Sequence, residues 1–145
     1  MEKLKFIDLF CGIGGFRTAM DQACIENDII PECVFSSDID TFCQDSYEAN
    51  FGERPFGDIT KIDEKDIPDH DILFAGFPCQ SFSIIGKMQG FNDVRGTLFF
   101  DIARILKHKK PKAFVLENVK QLFGHDGGNT LKTIVNVLEK ELGYS

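Results

Sequence analysis

The chain reads as an α/β protein with a largely parallel sheet flanked by helices. Three observations carry that reading. Short apolar runs bounded by turn residues alternate with segments of helical period. The first apolar run is nearly continuous, as a strand covered on both faces requires. Finally, 145 residues, 43% of them hydrophobic and 15 of them Phe, suffice for one ordinary domain with a substantial core.

Leu4–Phe10, broken only by Lys5 and Asp8, predicts the first strand. Cys11-Gly-Ile-Gly-Gly15 is a tight turn, after which Phe16, Ala19, Met20 and Ala23 mark the apolar face of a helix. Glu32–Ser37 predicts a second strand. Asp40 or Thr41 then caps a helix running to about Asn50, with Phe42, Cys43 and Tyr47 inward. Asp71–Phe77 is the third strand. Pro78 to Arg95 has no helical period, and a loop that long inside a compact domain is usually functional. Phe99, Ile102, Ala103 and Leu106 give a helix that Pro111 ends, and Ala113–Glu117 is a fourth strand. Leu131, Ile134, Val135, Leu138 and Leu142 predict a last helix, with Asn129 at its start and Gly143 at its end. No repeat or linker interrupts the order.

Ligands in such sheets bind beyond the carboxyl ends of the strands. Attention therefore falls on Phe10–Gly15, Ser37–Asp40, Gly76–Gln80 and Glu117–Val119. The net charge of −7 argues against a nucleic-acid binder, but it is unevenly spread. Met20 to Ala75 holds 3 basic and 15 acidic residues, whereas Ile84 to Lys120 holds 8 basic and 3 acidic. The basic stretch suits a polyanion or a solvated helix face. Five cysteines without CxxC or CxH spacing suggest neither a disulfide framework nor a metal site. With no apolar run near 18 residues and no export signal, no membrane contact is expected and a reducing cytoplasm is the default.

The glycine-rich turn after Phe10 allows close backbone approach to a ligand, or is simply a strand-to-helix turn. It lacks the GxGxxG pattern, so pyrophosphate binding is poorly supported. Asp38, 24 residues after Gly14, stands where doubly wound folds place a carboxylate for ribose hydroxyls, and it could equally be a helix cap. Asp58 can accept from an adenine amino group while Ile59 packs on the ring, or serve as a loop aspartate. Cys79 follows a strand directly and is flanked by Pro78, Gln80 and Ser81, a setting for a thiolate nucleophile more than for a core cysteine. Glu117 ends an apolar strand, where desolvation raises a carboxyl pKa and lets it hold a proton, unless the end is solvated. His70, His108 and His125 fall outside the strand ends and are expected on the surface, which disfavours a Cys–His hydrolase.

FIDLFCGIGGFR (6–17), GDIT (57–60), GFPCQSFS (76–83), RGTLFFDIARIL (95–106) and ENV (117–119), in this order, resemble the cytosine-C5 DNA methyltransferases over essentially the whole chain. The likeness looks closest to bacterial restriction-modification methylases of the Hha type. The resemblance implies a Rossmann-like, S-adenosylmethionine-dependent methyltransferase fold. In it Phe10 stacks on adenine, Gly12, Ile13 and Gly15 approach the methionine moiety, and Asp38 takes the ribose. Ile39 and Ile59 would lie against the ring and Asp58 at its amino group, with Gly76, Pro78 and Leu98 completing the pocket. Relatives more often carry Glu at the position of Asp38 and an aromatic at that of Ile39.

The implied reaction is methyl transfer to C5 of a flipped-out cytosine through a Cys79 adduct at C6, assisted by Glu117. Gln80, Ser83, Lys87 and Arg95 would contact double-stranded DNA. The family continues with further strands and a target-recognition domain. Residues 1–145 are therefore expected to form a catalytic and cofactor lobe truncated before the later strands. Its activity alone is expected to be weak or absent, and a complementing chain would carry recognition. A bacterial or phage cytoplasm is the expected location. Two alternatives are a cytosine-C5 methyltransferase of tRNA and a non-catalytic module binding S-adenosylmethionine or a nicotinamide nucleotide.

Overall fold

The computed structural model of the protein describes residues 1–78 and 97–145. In chain order the main elements are β1 (Lys3–Leu9), α1 (Gly15–Glu26), β2 (Ile30–Ser37), α2 (Thr41–Phe51) and β3 (Ile72–Gly76). They are followed by α3 (Leu98–Lys109), β4 (Ala113–Glu117) and α4 (Asn129–Asn136), which runs on as a π-turn over Val137–Glu141. The sheet order is β2-β1-β3-β4, with β1 parallel to both β2 and β3. This is the parallel α/β arrangement that the alternation of elements predicts.

The residues group into two compact units. The first holds Met1–Gly76 and Pro111–Leu116, the second Phe77–Lys110 and Glu117–Ser145. In the first, β1 is central, so Phe6, Ile7 and Leu9 are wholly enclosed. Phe74 of β3 packs edge-on against Phe6 at 5.9 Å and face-on against Phe16 of α1 at 5.2 Å. These contacts fix α1 over the sheet. Its inward face is Phe16, Met20 and Cys24, whereas Ala19 and Ala23, expected inward, are exposed. Asp40 caps α2 by accepting from the N–H groups of Phe42 (2.8 Å) and Cys43 (3.1 Å). Tyr47 and Gln44 face inward. Phe42 is 82% exposed, contrary to expectation, because the helical repeat turns it roughly 140° away from Tyr47. His70 is also buried instead of superficial, with Nδ1 2.8 Å from the Pro68 carbonyl.

In the second unit Phe99, Ile102, Ala103, Ile105 and Leu106 of α3 are fully enclosed. Thr97 caps the helix through Phe100 N–H, and Lys110, in the left-handed region at φ 48°, ends it just before Pro111. Along α4 the buried row is Thr130, Thr133, Ile134, Val137 and Leu138, while Val135 is exposed. Gly143, at φ 80°, terminates the segment as its sequence position suggests.

Candidate functional site

The carboxyl ends of β1 and β2 lie side by side within the first unit. Phe10 leaves β1 in the left-handed region at φ 54°, a conformation that non-glycine residues adopt at a cost and that clusters at functional sites. The turn after it is closed by Gly14 N–H donating to the Cys11 carbonyl at 2.9 Å, and Cys11 N–H donates to Ser37 O at 3.0 Å. Gly12 (φ 55°) sends its N–H to Asp38 Oδ2 at 2.8 Å. A Cβ on Gly12 or Gly15 would meet nothing within 4 Å, so the turn presents bare backbone on its outer side. Gly14 differs. At φ 96°, its Cβ would collide with the Phe51 ring and lie 3.2 Å from that of Tyr47, so glycine is required there by packing.

Asp38 is held at every polar atom. Its N–H donates to Phe56 O at 3.0 Å, its carbonyl accepts from Gln44 Nε2 at 2.6 Å, and Oδ1 accepts from Asp40 N–H at 2.9 Å. Phe56 N–H in turn donates to Ser36 O at 2.8 Å, and its ring stacks on Phe35 at 4.9 Å. This short parallel pairing carries Gly57-Asp58 to the end of β2, and so brings Asp58 and Asp38 to the same strand end. Asp58 Oδ1 accepts from Thr60 N–H (3.0 Å) and Oγ1 (2.7 Å), which holds its carboxyl below the usual carboxylate range. Ile13 and Ile39 are 64% and 72% exposed, flat apolar surface beside these acceptors. Ile59, by contrast, is buried. Gly76 closes β3, the strand that pairs with β1.

Beneath the turn lies a group that sequence reasoning missed. Asp8 is fully buried, and neither carboxyl oxygen has a hydrogen-bond partner among the described residues. Burial pushes its pKa up to about 7. The Arg17 guanidinium opposes that shift and the Asp38 carboxylate adds to it. Burial and the nearby Asp8 and Asp38 also push the Cys11 thiol well above its ordinary range, so it is not a thiolate. Arg17 bonds Glu53 at 3.0 Å and lies over the rings of Phe51 (4.7 Å) and Tyr47 (5.6 Å). The visible signal for Asp8 is a lone acid among the apolar residues of its strand.

The second unit holds Pro78, exposed, and Leu98, the half-buried first residue of α3. Glu117 ends β4 and is exposed. Its neighbour Asn118 donates from Nδ2 to Phe77 O at 2.7 Å and accepts Val119 N–H on Oδ1 at 2.7 Å. Asn118 thus ties the end of β4 to the backbone that leads into Cys79. Cys79, Gln80, Ser83, Lys87 and Arg95 lie outside the described residues. Among the described residues no group of three or more potential ligands could hold a metal, and no helix is long and apolar enough to cross a membrane.

A family model for the C-5 cytosine-specific DNA methylases matches residues 4–145. Type II methyltransferase M.HhaI of Haemophilus parahaemolyticus is 58% identical over 142 residues, covering 98% of this chain and 41% of the relative. Type II methyltransferase M1.ScrFI of Lactococcus lactis subsp. cremoris is 63% identical over 142 residues, covering 98% and 35%. The chain therefore spans about two-fifths of the length of these curated relatives. Among solved structures, the Dnmt2 methyltransferase of S. pombe superposes with a TM-score of 0.69 at 23% identity, over 92% of this chain and 40% of that one, a likeness of fold.

Proposed function

Because the chain belongs to the C-5 cytosine-specific DNA methylase family, we propose that it binds S-adenosylmethionine at the β1–β2 strand ends. It also supplies Cys79 and Glu117 for methyl transfer to C5 of a cytosine in DNA, as part of a restriction-modification methylase. The observation that carries the cofactor reading is the Gly12–Asp38 hydrogen bond of 2.8 Å. A pyrophosphate would need the turn N–H groups and a neutral or basic surround. Here the Gly12 N–H is already given to a carboxylate, and Asp38 and Asp58 lie at the same strand end. An uncharged nucleoside with hydroxyl and amino donors, joined to a cationic sulfonium, suits that field. A nicotinamide dinucleotide does not.

Each part of the cofactor has a counterpart among these residues. Phe10 and Ile39 offer apolar surface for adenine, Asp58 an acceptor for its amino group, and Asp38 acceptors for the ribose hydroxyls. Gly12 and Gly15 admit the methionine end. The bound cofactor supplies an electrophilic methyl group. C5 of cytosine is a weak nucleophile while the ring stays aromatic. Addition of the Cys79 thiolate to C6 forms a C–S bond and moves electron density to C5, and Glu117 at N3 steadies the charge that develops there. After C5 is methylated, loss of its proton re-forms the ring double bond and expels Cys79 as thiolate. The base must leave the helical stack to reach both groups.

Two measurements test this reading. Calorimetry on the chain should give binding of S-adenosylmethionine and none of NAD; the reverse result overturns it. A duplex carrying 5-fluorocytosine should trap a covalent adduct on the chain complemented with the recognition half of a relative, because fluorine at C5 cannot leave as a proton does. No adduct, or an undiminished one in Cys79→Ala, sinks the assignment of the nucleophile.

A further inference from the structure

Resting on the cofactor reading, we propose that Asp38 also latches the glycine turn through its carboxylate, so the residue that meets the ribose sets the backbone that meets the rest of the cofactor. Oδ2 accepts the Gly12 N–H at 2.8 Å across 26 residues of sequence, while Oδ1 accepts Asp40 N–H at 2.9 Å. A carboxylate has about four acceptor directions, so two remain for a ribose diol. The carboxylate is itself immobilised, because Asp38 N–H is tied to Phe56 and its carbonyl to Gln44. Gln44 is buried, and its Oε1 accepts from Arg54 at 3.1 Å. The latch therefore hangs from α2 and β2, outside the turn it holds.

The turn has reason to need it. Phe10 and Gly12 both sit at positive φ, near 54° and 55°, and no Cβ packing supports Gly12 on its outer side. Removing the carboxylate would leave the Gly12 N–H unpaired and the turn free to relax. A carboxylate serving only as ribose acceptor would matter solely to ligands with ribose hydroxyls, whereas a latch matters to any ligand using the turn.

A thermodynamic cycle separates the two. Wild type and Asp38→Ala are titrated by calorimetry with S-adenosylhomocysteine and with its 2′,3′-dideoxy analogue. The latch predicts that Asp38→Ala weakens the dideoxy analogue at least tenfold, although no hydroxyl is present. Equal affinity of wild type and variant for that analogue, within twofold, overturns the latch and leaves the cofactor reading standing. Failure of wild type to bind S-adenosylhomocysteine overturns both. Amide exchange needs no ligand and supplies a second readout. The Gly12 N–H should exchange at least tenfold faster in Asp38→Ala and in the near-isosteric Asp38→Leu, which has no acceptor and serves if the alanine variant does not fold. Unchanged protection of that amide rejects the proposal.

Discussion

Asp8 carries the sharpest electrostatic consequence of any single residue. Its carboxyl ionises near pH 7 in the folded chain and near 3.8 when exposed. The folded state thus holds a proton that the unfolded state has released between those values. A raised carboxyl pKa contributes stability that is fully present below about pH 4 and is lost as pH rises through 7. With one pKa unit worth about 1.4 kcal/mol, the loss amounts to about 4 kcal/mol. Asp8→Asn keeps the shape and removes the titration. Urea melts of both proteins from pH 4 to 8.5 should therefore diverge, the wild type falling relative to the variant as pH rises. A pH-independent difference would mean that the Asp8 carboxyl is ionised in the folded chain across that range, as it is when unfolded. The same residue shows what a sequence conceals. The charge in Leu4–Phe10 is legible, but that its carboxyl finds no hydrogen-bond partner among the described residues is not, because the Arg17 guanidinium bonds Glu53 and stacks on Tyr47 and Phe51 from elsewhere in the chain.

The strands are legible within a residue or two, most plainly β1 and β3, whose burial leaves an almost unbroken apolar run between turn residues. Helix faces are less so. Ala19 and Ala23 share the period of the apolar face of α1 but lie outside, since an alanine costs little when exposed, and Cys24 takes the inward position. In α2 the polar Gln44 is buried and Phe42 is not, because Gln44 is required to hold the Asp38 carbonyl 6 residues away. Bonds that span 26 or 41 residues, from Gly12 to Asp38 and from Asn118 to Phe77, leave no local pattern. The turn separates two kinds of glycine and makes that distinction testable. Gly14→Ala drives a methyl into the Phe51 ring at φ 96°, and should destabilise the chain by about 3 kcal/mol in urea melts. Gly12→Ala meets no neighbour, so it should cost only about 1 kcal/mol of left-handed strain while still weakening cofactor binding by calorimetry. Equal destabilisation by the two would contradict the packing described.

At the scale of the whole molecule, the charge of −7 separates along the two compact units. Residues 1–76 and 111–116 carry 7 basic and 17 acidic side chains, whereas 77–110 and 117–145 carry 9 basic and 6 acidic. The total that argued against nucleic acid therefore belongs to the unit with the proposed cofactor site, and the unit containing Cys79 and Glu117 is net positive. An acidic surround favours a cation at long range, and salt screens that attraction over about 10 Å at 0.1 M. S-adenosylmethionine bears one positive charge more than S-adenosylhomocysteine, and the two are otherwise nearly alike. Between 50 and 500 mM salt the affinity for S-adenosylmethionine should consequently fall by about threefold relative to that for S-adenosylhomocysteine, by roughly 0.6 kcal/mol of screened attraction. Cys79→Ala, in the other unit, should leave both affinities within twofold of wild type. Parallel salt dependence of the two ligands would show that the acidic excess is too distant or too solvated to act on the cofactor. Any preference for the sulfonium at the proposed site would then have to come from contacts at the turn.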